Sequence, residues 1–136
     1  AFESVSKRYP EQCFVCVGFD NGLAHQIEAG ADFFLMPSRF EPCGLNQMYS
    51  LRYGTVPVAR RTGGLADTIV DGANGVLFSD YSVASMMSAI RRALTLYHKK
   101  DVWAEIISTG MSHDFSWDRS AREYLRLYEG VLNEGH

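Results

Sequence analysis

Short apolar runs alternate along the chain with stretches whose apolar residues recur every three to four positions, the order expected of successive β-α-β units. The runs at 13–18, 33–36, 56–60 and about 76–79 predict strands. Residues 2–9 predict the end of a helix, 22–29 a helix stopped by Gly30, and 44–53 a helix ended by Gly54. Three amphipathic stretches close the chain. Val83, Met86, Met87, Ile90, Leu94 and Tyr97 form one stripe, and Val102, Trp103, Ile106 and Ile107 a second. Trp117, Ala121, Tyr124, Tyr128 and Val131 form a third, with Ser116 placed to cap it. The fold class implied is α/β: a Rossmann-like parallel sheet with flanking helices, ending in three helices.

Composition narrows the partners. With 136 residues and 46% hydrophobic content, the chain is long enough for one core and suggests a single unit, residues 1–136. A net charge of −3, with Lys and Arg dispersed, gives no electrostatic footprint for nucleic acid or an anionic membrane. No apolar run approaches the roughly 20 residues that span a bilayer, and the start, Ala1-Phe2-Glu3-Ser4-Val5, lacks a signal-peptide pattern. A soluble setting is the expectation, and a first residue other than Met, inside a helical pattern, suggests a piece of a longer chain.

In open α/β sheets ligands sit outside the carboxyl ends of the strands, so the loops there are where chemistry is expected. Gly18-Phe19-Asp20 follows the first run, Pro37-Ser38-Arg39-Phe40-Glu41-Pro42-Cys43-Gly44-Leu45 the second, and Arg60-Arg61-Thr62-Gly63-Gly64-Leu65 the third. The second opens a helix whose first-turn amides and positive dipole end attract anions. Glu41 repels phosphate, so its carboxylate suits the hydroxyls of a neutral group attached to that phosphate, which suggests a sugar nucleotide. A capped helix with a surface Glu is the plainer alternative. Gly63 and Gly64 admit close backbone approach, either by a ligand or within a tight turn, and Arg60 or Arg61 can face phosphate. Phe19 can stack on a base or fill the core edge.

Other chemistries lack support. Cys13 and Cys16 have C-x-x-C spacing, but on a strand residues three apart point to opposite faces, so both read as inert core thiols. Cys43 lies beside Glu41 without a His or second acid in its motif, so a nucleophilic role is not expected. His25, His98, His113 and His136 form no metal-ligand pattern, no cofactor is implied, and dinucleotide and P-loop glycine motifs are lacking.

Ser38-Arg39-Phe40-Glu41-Pro42-Cys43-Gly44-Leu45 together with Arg60-Arg61-Thr62-Gly63-Gly64-Leu65-Ala66-Asp67-Thr68 resembles bacterial glycogen synthase and plant starch synthase. The likeness extends through Gly18-Phe19, Leu23-Ala24-His25, Ala31 to Pro37 and Asp114-Phe115-Ser116-Trp117, nearly the whole chain. It implies the last part of the nucleotide-sugar-binding C-terminal domain of a two-domain GT-B transferase. Such enzymes move glucose from ADP-glucose, or sometimes UDP-glucose, to the non-reducing end of an α-1,4-glucan with retention.

By that resemblance Glu41 is the essential acid that contacts the donor glucose. Cys43, Gly44, Leu45 and Asn46 present amides to the diphosphate, and Phe19 stands where an aromatic ring, commonly Tyr, stacks on adenine. Thr62 and Gly63 lie near the phosphates and glucose, Ser38 and Arg39 border the site, and Asp67 and Thr68 brace the next helix. In the wider retaining group a second Glu follows the first after seven residues; here Tyr49 holds that place, as is usual on the synthase branch. The family's Arg and Lys that neutralise the departing diphosphate, and its acceptor-binding N-terminal domain, lie upstream of the matching region. The isolated chain is therefore expected to be inactive, and its last helix to expose its stripe or use it as a homo-oligomer contact. Bacterial cytoplasm or a plastid fits such an enzyme. A phosphorylase would need a lysine for pyridoxal phosphate, and Lys7, Lys99 and Lys100 lie outside the candidate loops. Another retaining GT-B transferase, or a non-catalytic nucleotide-binding module, remains the alternative.

Overall fold

The computed structural model describes residues 2–134; Ala1 and His136, named above, lie outside them. In chain order come α1 (Phe2–Arg8), α2 (Asn21–Gly30), β1 (Phe33–Met36), α3 (Asn46–Tyr53), β2 (Val56–Arg60), α4 (Gly63–Thr68), β3 (Val76–Phe78), α5 (Val83–Tyr97), α6 (Lys100–Ser112) and α7 (Trp117–Glu134). The strands form one parallel sheet in the order β1-β2-β3, with Phe33 opposite Val56 and Val58 opposite Val76. The α/β architecture therefore matches the sequence pattern.

Both faces of the sheet are covered, and the period of two along each strand decides which residue faces which cover. Ala59, Met36 and Leu77 pack with Leu65 and Ile69 from α4 and the residue after it, with Phe34 against them. Val56, Val58, Val76 and Phe78 face the other way, onto Ala89 and Ala93 of α5 and onto Trp103 and Ile106 of α6, with Phe33 joining the two groups. The residues that α5 buries are its alanines, Ala89 and Ala93, while Val83 at the head of the sequence stripe is exposed. Small side chains bring that helix nearer the sheet than its larger apolar residues would.

Local signals fix most boundaries. The Asp20 carboxylate accepts from Leu23 N–H at 2.9 Å and caps α2, and the Ser82 hydroxyl caps α5. Gly54 ends α3 in the left-handed region at φ 83°, and Ser116 caps α7 through Arg119 N–H. Asp71 joins two elements: it accepts from Leu77 N–H and forms a 2.7 Å ion pair with Arg92, which also donates to the Leu77 carbonyl.

Three expectations need correction. Residues 13–18 are not a strand, since no ladder partner lies beside them among the described residues and Phe14 and Val17 are exposed. An apolar run becomes a strand only when a neighbour takes its main-chain hydrogen bonds. Cys16 is consequently exposed and Cys13 half-buried, so neither is a core thiol. The third loop, finally, holds a short helix, α4, that the sequence pattern did not mark.

Among the described side chains of α7 none is buried, and the helix has no extensive contact with another element; Trp117 is 84% exposed. No helix among the described residues is long and apolar enough to cross a membrane.

Asn74, fully buried, holds the turn between α4 and β3. Its amide donates to the Thr68 carbonyl at 3.2 Å and its oxygen accepts from Val70 N–H at 2.7 Å. Asn74→Ala leaves both groups unmatched and should lower stability by about 2 kcal/mol or more, measured by denaturant unfolding.

Candidate functional site

The carboxyl end of β1 runs through Pro37 into a loop that carries Ser38, Arg39, Glu41 and Cys43 and ends at α3. Leu45 occupies the N-cap of that helix and supplies no side-chain acceptor. Leu is among the poorest N-cap residues because it offers the first-turn donors nothing. No acceptor among the described residues takes the N–H of Gly44, Leu45 or Asn46. The helix thus presents its positive end and uncompensated amides beside Glu41.

The Glu41 side chain is half-buried and accepts a long hydrogen bond, 3.4 Å, from the Ser38 hydroxyl. Its backbone carbonyl accepts from Gly64 N–H at 3.2 Å. The two glycines explain how α4 comes so near. A β-carbon on Gly63 would overlap the Glu41 carbonyl, and one on Gly64 would overlap the Cys43 carbonyl. The backbone admitted at close range by this pair is therefore that of residues 41–43. Gly63 also has φ 44°, in the left-handed region that favours glycine.

One further tie fixes the loop. Arg60, at the end of β2, donates to the Arg39 carbonyl at 3.3 Å and lies 5.7 Å from the Tyr81 ring centre. Its guanidinium is held by the protein, whereas Arg61 is exposed and its backbone N–H donates to the Phe78 carbonyl. Thr62 is the N-cap of α4 but its hydroxyl makes no cap bond. Thr68 donates to the Gly64 carbonyl at 2.6 Å, bracing α4 itself.

On its other side the loop borders an open groove of about 550 Å³ that includes Cys43, Leu45, Asp67, Asp114 and Phe115. The structure thereby brings the Asp114-Phe115-Ser116-Trp117 segment beside the α3 start. Hydrogen bonds from Ser116 hold the Asp114 carboxyl below its ordinary range. Phe19 is 96% exposed, which removes it from the core; neither a hydrogen bond nor a ring contact joins it to residues 38–63. In α2, burial pushes the Glu28 carboxyl up, opposed by nearby His25. Among the described residues no group of three or more His, Cys, Asp or Glu is arranged to hold a metal ion.

What the motifs did not mark is Gln47. It is wholly buried under the loop, where its amide meets the Cys43 and Gly44 carbonyls and the Thr68 hydroxyl. A Gln in the first turn of a helix ordinarily reads as solvated, so only the poor N-cap ahead of it hinted at another duty.

The chain belongs to the family of glycosyl transferases group 1, whose model matches residues 5–108. Within that family its similarity is to glycogen and starch synthases. It is 52% identical over 139 residues to the glycogen synthase of Thioalkalivibrio sulfidiphilus, covering 96% of this chain and 29% of the relative. Against the glycogen synthase of Myxococcus xanthus it is 54% identical over 133 residues, covering 96% of this chain and 28% of the relative. The catalytic domain of starch synthase IV from Arabidopsis thaliana, solved bound to ADP and acarbose, superposes with a TM-score of 0.83. That match has 36% identity and covers 97% of this chain and 29% of that one. The fold is accordingly part of a GT-B architecture. The chain spans less than a third of the length of these relatives.

Gly64→Ala should force the loop and α4 apart, because the overlapping atoms are backbone rather than a movable side chain tip. A loss of about 1 to 3 kcal/mol in unfolding free energy is expected, with altered amide resonances at 41–45.

Proposed function

We propose that residues 1–136 are part of the nucleotide-sugar-binding C-terminal domain of a glycogen synthase. The whole enzyme transfers glucose from ADP-glucose to the non-reducing end of an α-1,4-glucan with retention. One observation carries this reading: α3, whose N-cap Leu45 lies four residues beyond Glu41, begins without a side-chain cap, and the Gly44, Leu45 and Asn46 amides lack an internal acceptor. A diphosphate supplies the missing acceptors, and a carboxylate beside them suits sugar hydroxyls rather than phosphate.

In this reading Cys43, Gly44, Leu45 and Asn46 meet the diphosphate, and Glu41, steadied by Ser38, meets the glucose. Arg39, Thr62 and Gly63 border the sugar and phosphates, and the exposed Phe19 ring stacks on the base. Adenine is favoured because the starch synthase that superposes at 36% identity was solved with ADP. The acceptor glucan is bound by a region of the enzyme outside this segment, so the segment alone transfers no glucose.

Glu41→Ala in the full-length protein should reduce glucosyl transfer from ADP-glucose to maltooligosaccharides by about a hundredfold or more, with folding retained, because misplacing the sugar alone is that costly. Near-normal turnover would remove Glu41 from the mechanism. Phe19→Ala should weaken ADP binding by about 1 to 3 kcal/mol in calorimetry while leaving the melting temperature unchanged, since an exposed ring contributes little to packing.

A further inference from the structure

We infer that Gln47 is a positioning residue that aims the backbone amides of Gly44 and Leu45 at the donor diphosphate; this rests on the sugar-nucleotide reading above. Gln47 is 0% exposed, and its side-chain nitrogen lies 3.1 Å from the Cys43 carbonyl, 2.9 Å from the Gly44 carbonyl and 3.2 Å from the Thr68 hydroxyl. Two carbonyls can be served only by the NH₂ end, so the orientation of the amide is fixed by chemistry, and its two N–H groups are shared among the two carbonyls and the Thr68 hydroxyl oxygen.

The consequence follows from peptide geometry. In a trans peptide the C=O and the following N–H point in opposite directions within one plane. By holding the Cys43 and Gly44 carbonyls inward, Gln47 turns the Gly44 and Leu45 N–H groups outward, away from the core. Those N–H groups have no acceptor among the described residues. Gly44 has φ 72°, and a β-carbon there would lie 2.5 Å from Gln47 Oε1, so the glycine and the glutamine are matched to each other.

The same side chain couples two loops. Through Thr68, which donates to the Gly64 carbonyl, Gln47 connects the α3 start to α4, while Gly64 N–H holds the Glu41 carbonyl. The ring of bonds closes on the loop that carries Glu41. Gln47 Oε1 is buried without a partner, an arrangement that costs stability. Replacement by an apolar residue of like length therefore relieves one cost as it creates another, and a purely structural role is the weaker explanation of the residue.

The test is Gln47→Met in the full-length protein, with ADP and adenosine affinities measured by calorimetry. Met keeps the length of the side chain but donates nothing. Two N–H hydrogen bonds donated to a charged diphosphate depend on the brace, so ADP affinity should fall about tenfold or more while adenosine affinity stays as in the wild type. Thr68→Val, which removes the Gln47–Thr68 and Thr68–Gly64 bonds but keeps both carbonyl contacts of Gln47, should move ADP affinity the same way by less, and it decides the matter should the first variant not fold. Unchanged ADP affinity would overturn the proposal. Equal losses for ADP and adenosine would overturn it as well, since they signal general damage. Failure of the wild-type protein to bind ADP would overturn the sugar-nucleotide reading itself, and the positioning role with it.

Discussion

The approach of α4 to the Glu41–Cys43 backbone is the constraint on which the rest of the site depends. Two consecutive glycines let carbonyls of one loop occupy the space where β-carbons of the other would stand. Close packing of two backbones leaves each little room to move, which is how a loop acquires the precision usually reserved for regular structure. Glu41 is thereby referred to the sheet twice, through β1 on its own chain and through α4 at the end of β2. A helix that starts without a cap is a weak point unless something else steadies it. Here the buried Gln47 amide and the Thr68 hydroxyl take that role from beneath and leave the outward amides uncompensated.

Much of this was legible in the sequence for a physical reason. Buried parallel strands must be apolar on both faces, so 33–36, 56–60 and about 76–79 stand out as runs, and helices that cover them keep a period of three to four. The candidate loops were likewise marked by residues with few other uses at strand ends, such as Glu41 among Pro and Gly. The run at 13–18 misled because its pattern describes side chains only; whether a run becomes a strand depends on a neighbouring main chain, which no local pattern records. Helix α4 escaped notice because it opens on Gly63 and Gly64, poor helix formers that tertiary contact overrides. The burial of Gln47 belongs to the same class: nothing in a single helical turn distinguishes a glutamine under a loop from one in water.

The exposed surfaces fit the same account. Phe14, Val17 and the stripe of α7 carry large apolar residues without cover, although the core around β2 is fully packed. That contrast separates a well-packed centre, where Leu65, Val56 and Val76 are buried, from flanking segments that meet no covering surface among the described residues. The Glu41 loop and the start of α3 lie at the carboxyl ends of β1 and β2, within the packed part, so their geometry follows from the core rather than from the flanks.

The most direct measurement is a titration of this isotopically labelled chain with ADP, followed through its backbone amide resonances. The account requires the Gly44, Leu45 and Asn46 signals to shift most strongly, with those of buried β2 residues unmoved. Binding that left these three amides undisturbed, or shifts centred elsewhere, would contradict the claim that the uncapped start of α3 is the diphosphate cradle.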